Sequence, residues 1–160
     1  MNFFRHRLSG LSALVVLCAA AGCSSADDSA SIVVPSPSAK AAEICGKLDA
    51  ALPATVDGLR RRDPEPASPL TAGWGDPAII LRCGVVKPPK MDAQNADAGE
   101  ADGVGWLVEK QDDGSIRLTS ALRVVYIEVT LPKSRAAEGM SPTIDLAPAI
   151  KKTVPEGIAD

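Results

Sequence analysis

Beyond residue 22 the chain has no histidine, because the only one is His6. That absence removes Ser-His-Asp and Cys-His catalysis and most zinc sites. An enzyme built on this domain would have to run on carboxylates, Lys, Tyr or Ser alone. Cysteine is almost as scarce, with four residues at positions 18, 23, 45 and 83. There is no basic excess. Removing Arg5 and Arg7 with the signal described below takes 17 basic residues to 15, against 20 acidic, a formal charge of −5. That argues against nucleic acid and against electrostatic attachment to anionic lipid. The acidic stretch from Lys87 to Gly103 carries Asp92, Asp97, Glu100 and Asp102 but lacks the D-x-D-x-D-G spacing of a calcium loop. It reads as a polar surface loop. No metal and no cofactor is expected.

What is present begins with an address. Arg5, His6 and Arg7 make a short basic start, Leu8 to Ala21 is apolar and uncharged, and the run ends at Ala20-Ala21-Gly22-Cys23. A positive start, a short apolar middle and small residues before a cut site mark an export signal. The run is shorter than the roughly 20 apolar residues of a spanning helix, so an uncleaved signal anchor is the weaker reading. The small residues before Cys23 resemble the lipobox of bacterial lipoproteins, with Ala20 where Leu is commoner. Cys23 is then the lipidation site and carries a diacylglyceryl group. Cys18 fits less well, since the apolar run continues past it. An ordinary secretory signal with a chance cysteine is the alternative. Two acyl chains suffice for stable anchoring, where one is marginal. The domain division is therefore 1–22 lipoprotein signal peptide, 23–38 lipidated flexible tether, and 39–160 a single domain. The Ser-, Ala-, Asp- and Pro-rich tether could hold that domain up to about 50 Å from the membrane.

With Cys23 lipidated, Cys45 and Cys83 remain, and two cysteines in an exported domain are expected to pair. Ala39 to Ala51 has helical spacing, with Ser38 as N-cap and Pro53 as stop, and places Cys45 in its apolar stripe. Ala78 to Val86 alternates as a strand entered through the Trp74-Gly75-Asp76-Pro77 turn, with Ile79, Leu81, Cys83 and Val85 on one face. A short strand is expected within Thr55 to Arg62. Arg60-Arg61-Arg62 reads as a solvated strand end partly neutralised by Asp63 and Glu65, rather than an anion site. Val104 to Gln111 and Ser115 to Thr119 make a hairpin. A two-residue Asp113-Gly114 loop would set Lys110 opposite Arg117. A three-residue loop with Gly114 left-handed in a bulge sets Glu109 opposite Arg117 and Val108 opposite Leu118. The second register puts Val104, Trp106, Val108, Ile116 and Leu118 on the core face and is the one expected, with Trp106 buried and Glu109 paired to Arg117. A break at Ser120-Ala121 precedes a further strand over Leu122 to Leu131. A closing helix is expected over Leu146 to Thr153, capped by Asp145, with Pro148 in its first turn. The fold class is α+β, a two-layer sandwich of an antiparallel sheet with an N-terminal and a C-terminal helix and one disulfide.

Cys45 before Leu52-Pro53, the block Trp74-Gly75-Asp76-Pro77 with Leu81-Arg82-Cys83-Gly84-Val85, Trp106-Leu107 and Leu146-Ala147-Pro148-Ala149-Ile150 together resemble a family of small actinobacterial exported proteins, domain of unknown function 3515. The resemblance covers most of the mature chain. It implies an envelope location in a Gram-positive-type cell and brings no activity, ligand or catalytic residue. The function expected is a lipid-anchored extracytoplasmic envelope protein, held to the cell membrane by its N-terminal diacylglyceryl anchor. It would act as a non-catalytic module for an envelope protein or cell-wall partner. The alternative is a small-molecule-binding lipoprotein with a cleft near Trp74, Asp76 and Arg82. A carboxylate-based envelope enzyme ranks third.

Overall fold

The structure is a computed structural model and describes residues 32–76 and 78–159. Helix α1 (Ala39–Ala51) starts where Ser38 Oγ accepts a hydrogen bond from the Ala41 N–H and ends at an extended Leu52 before Pro53. It buries Cys45 and Leu48. Strands β1 (Thr55–Val56) and β2 (Leu59–Arg60) pair through Asp57-Gly58, both left-handed, the two-residue turn whose twist suits a hairpin.

The main sheet has six antiparallel strands in the order β3-β4-β8-β7-β6-β5. These are β3 (Thr71–Gly75), β4 (Ala78–Cys83), β5 (Ala98–Ala101), β6 (Val104–Lys110), β7 (Ile116–Ala121) and β8 (Ile127–Leu131). Ile79, Leu81 and Cys83 of β4, Val129 of β8, Leu118 of β7 and Trp106 of β6 share one face and form the core with Leu48 and with Leu146 and Ile150 of helix α2 (Ser141–Thr153). This is the expected α+β arrangement, with a disulfide joining Cys45 to Cys83 at a Cα separation of 5.6 Å.

The hairpin register is the expected one. Glu109 lies opposite Arg117 and Val108 opposite Leu118, Gly114 has φ +84°, and Trp106 is buried. Gln111 N–H donates to Ser115 O, and Gly114 N–H donates back to Gln111 O, closing the three-residue loop. The expected Glu109–Arg117 ion pair does not form, for reasons given below.

Several elements differ from the sequence reading. Thr71–Gly75 is itself a strand that pairs with β4, with Gly75 opposite Ala78. Part of the expected loop is β5, closed onto β6 by the left-handed pair Asp102-Gly103. β7 runs through Ser120-Ala121, and the break comes at Leu122, which is left-handed with φ +55°. β8 therefore starts at Ile127, where its N–H donates to Ser120 Oγ. Helix α2 starts at Ser141, with Pro142 in its first turn where a missing N–H costs nothing. Asp145 is inside the helix and accepts the Asp57 N–H instead of capping. Pro148 lies in the helix interior on the exposed side, leaving the carbonyl one turn back, on the exposed Ile144, without its intrahelical donor.

The second face of the sheet is also covered. Residues 32–37 lie along β4, with Ile32 N–H donating to Glu65 O, Arg82 Nη1 donating to Val33 O, and Pro37 against Gly84. The tether expected through Ser38 is thus docked on the domain over its last seven residues. Residues 85–97, with a 3-10 turn at Pro89–Asp92, reach from the end of β4 to β6, where Val108 N–H donates to Asp97 O.

Candidate functional site

Trp74, Asp76 and Arg82 come from one hairpin, and strand alternation separates them. Trp74 points to the helix-covered face, is fully buried, and donates its indole N–H to Pro53 O at 3.0 Å. Asp76 sits in the exposed turn and pairs with Arg62 at 2.7 Å. Arg82 points to the opposite face. The three do not converge on a common cleft. Trp106 is a core residue packed on the helix side, and its indole N–H has no partner among the described residues.

The second sheet face carries a charged network. Arg82 on β4 donates through Nε to Glu128 Oε1 at 2.9 Å, and its Nη2 lies 2.8 Å from the same oxygen. Arg117 on β7 approaches the other carboxylate oxygen at 3.4 Å. The Glu128 side chain on β8 is only 9% exposed, so two guanidinium groups compensate one carboxylate withdrawn from water. One strand further, Glu109 is 10% exposed and meets Lys90 Nζ at 3.6 Å, with Lys90 supplied by the covering segment. Its second oxygen, Arg117 Nε and the Thr119 hydroxyl are buried without hydrogen-bond partners among the described residues. Glu128 and Glu109 are each matched by a cation, so the first group bonds β4, β8 and β7 together and the second pair ties the covering segment to β6.

Two arginines of the run are paired, with Asp63 as expected but with Asp49 and Asp76 in place of Glu65. Arg61 bonds both Asp63, at 2.7 Å, and Asp49, and Arg62 bonds Asp76. Burial pulls the Arg61 guanidinium down, but the Asp63 and Asp49 carboxylates outweigh it and hold it above its ordinary value. Among the described residues no three His, Cys, Asp or Glu side chains form a group able to hold a metal ion, and no helix is long and apolar enough to cross a membrane. Cys23 lies outside the described residues.

The charged network was not found from sequence. Its signal was available in part, since Arg82, Arg117 and Glu128 occupy the polar positions of three alternating strands. Joining them requires the order β4-β8-β7, which sequence neighbours do not give.

No curated protein and no solved structure matches this chain. One family does, described as "Protein of unknown function (DUF3515)", over residues 9–159.

Proposed function

The chain belongs to the DUF3515 family, and from that premise we propose that it is a lipid-anchored extracytoplasmic envelope protein, a non-catalytic module that binds an envelope protein or a cell-wall component. The observation that carries this reading is the use made of the cysteines. Cys45 and Cys83 are joined in a disulfide, the bond of an oxidising, exported setting. Of the other two, Cys18 lies within the apolar run, and Cys23 directly follows Ala20-Ala21-Gly22 as the thiol at a small-residue cleavage site. Its diacylglyceryl group supplies the membrane attachment that a net negative domain cannot get from charge.

The other readings draw less support. A cleft site at Trp74, Asp76 and Arg82 would need the three on one side of the sheet. Carboxylate chemistry would use Glu109 and Glu128, but in the register Arg117 stands opposite the first and reaches the second.

The test is fractionation of cells making the full chain or its Cys23→Ser variant, with mass spectrometry of the N-terminus. The expected result is a mature chain beginning at diacylglyceryl-modified Cys23 in the membrane fraction, and an unprocessed or released variant. Unchanged processing and membrane association of the variant would overturn the reading. Crosslinking and pulldown from intact cells, with the anchored chain as bait, then identifies the partner.

A further inference from the structure

Among the described residues, the large apolar side chains most exposed to solvent are Val33, Val86, Leu122, Ile144 and Ile158. Four of the five gather at one end of the sheet. β4 and β7 finish there at Cys83 and Ala121, and β8 starts there at Ile127. Val86 lies on the connection leaving β4, and Leu122 on the connection leaving β7. Ile158 is brought beside Leu122 by the C-terminal tail, whose Gly157 N–H donates to Leu122 O and whose Pro155 O accepts from Val124 N–H. Val33 is tied through its carbonyl to Arg82, next to the last residue of β4. Ile144, the fifth, is on the outer side of α2.

Leu122 is the most informative of the group. It is 75% exposed and holds φ +55°, a left-handed conformation that L-residues other than Asn and Asp rarely adopt. A polar turn residue would hold this conformation with less strain and suit water better. The domain gains no packing from the leucine. Strain of this kind, kept at an exposed apolar position, points to a contact outside the domain.

The chain itself indicates which contact. Pro37 sits against Gly84 at this same end, and Ile32, where the described chain begins, is bonded through its N–H to Glu65 O. Nine residue steps separate Cys23 from Ile32, which reach at most about 30 Å when extended and average about 16 Å as a coil. The anchor therefore holds the domain close to the membrane, with Pro37 of the connecting segment fixed at the apolar end. The opposite end, with the Asp76 and Asp113 turns, is a strand length further away.

We propose that this end of the sheet, with Val86, Leu122, Ile158 and Val33, rests in the headgroup boundary of the membrane and fixes the orientation of the domain above it. The proposal rests on the lipid-anchor reading. The occupant is the lipid surface, met by apolar side chains and not by charge, since the mature chain is net negative.

The experiment uses the full chain in its own cells, with the photoreactive substitutions Val86→p-benzoylphenylalanine, Leu122→p-benzoylphenylalanine and Ile158→p-benzoylphenylalanine, and Asp113→p-benzoylphenylalanine at the far end. The expected result is phospholipid adducts at the first three positions, several-fold above those at Asp113. Equal adducts at all four would overturn the proposal, and so would crosslinks from the first three to a protein instead of lipid. Fractionation of the same cells separates the two readings. A chain absent from the membrane fraction brings down the anchor and the orientation together. A membrane-bound chain without lipid adducts brings down the orientation alone.

Discussion

Glu109 and Arg117 face each other across β6 and β7, yet neither bonds the other: the carboxylate takes Lys90 and the guanidinium leans to Glu128. The two carboxylates are equally withdrawn from water, at 9% and 10% exposure, but Glu109 is met by Lys90 from the covering segment, while Glu128 in the middle of the sheet gathers both guanidinium groups. Glu128→Ala leaves two partly buried guanidinium groups facing each other without a carboxylate. It is expected to lose about 2–4 kcal/mol, and Glu109→Gln at most about 1 kcal/mol. Urea denaturation of the three proteins checks the order.

Cys45 and Cys83 close a loop with a sequence separation of 38. The chain-entropy relation gives about 4 kcal/mol for a loop of this length. The double variant Cys45→Ala, Cys83→Ala is expected to unfold at a midpoint lower by that amount divided by the denaturant slope. Reducing the unsubstituted protein should produce a similar loss, measured by equilibrium denaturation with and without reductant.

The elements that were legible in the sequence are those whose apolar period has one answer. Trp106, Val108 and Leu118 fall on one face only if Gly114 is left-handed, and the hairpin obeys. Ser38 and Pro53 bound α1 because capping and the missing proline donor are local. The start of α2 is legible in Ser141-Pro142, a first-turn proline and a stronger signal than Asp145. Likewise Asp102-Gly103 is a hairpin turn pair that announces β5. Other features had no residue-level signal. Residues 32–37 dock largely through backbone atoms, the Ile32 N–H and the Val33 carbonyl, which any residue supplies. The bend at Leu122 goes against local preference. The Arg82–Glu128–Arg117 network depends on a strand order set by long-range pairing.

Asp113 caps its own turn. Ser115, first through its hydroxyl and then through its backbone N–H at 2.8 Å, holds the Asp113 carboxyl below its ordinary value. A folded-state pKa below the unfolded one means the unfolded chain binds more protons in acid. The contribution of Asp113 is thus fully present above the unfolded value, about 3.9, and is lost as pH falls through the lower folded value. Asp113→Asn keeps an oxygen for the Ser115 N–H but does not titrate. The stability advantage of the protein over this variant is expected to be constant above about pH 5 and to shrink steadily below about pH 4. Denaturation midpoints of the two proteins across this window measure it, and a difference that grows in acid would contradict the assignment.

Gly84 is where the docked N-terminal segment and the sheet meet most closely. Its φ of +84° is left-handed, its N–H is committed to Tyr126 O at 2.9 Å, and a Cβ placed on it would lie 2.7 Å from both Cβ and Cγ of Pro37. Gly84→Ala therefore meets two separate obstacles. The backbone term, about 1–2 kcal/mol, applies wherever an L-residue is forced left-handed. The second is steric, and because proline is rigid and Gly84 is held by Tyr126 just before β8, the element that yields is the segment 32–37. The expected outcome is a loss of about 2–3 kcal/mol together with faster amide exchange at Ile32, whose N–H is bonded to Glu65 only while the segment is docked. Pro37→Gly in the Gly84→Ala background removes the clash but not the backbone strain. It should recover part of the stability, and the non-additivity of the pair gives the size of the contact. If Gly84→Ala leaves exchange at Ile32 unchanged, the segment is held by Arg82 and Glu65 alone, and Pro37 only lies beside the sheet.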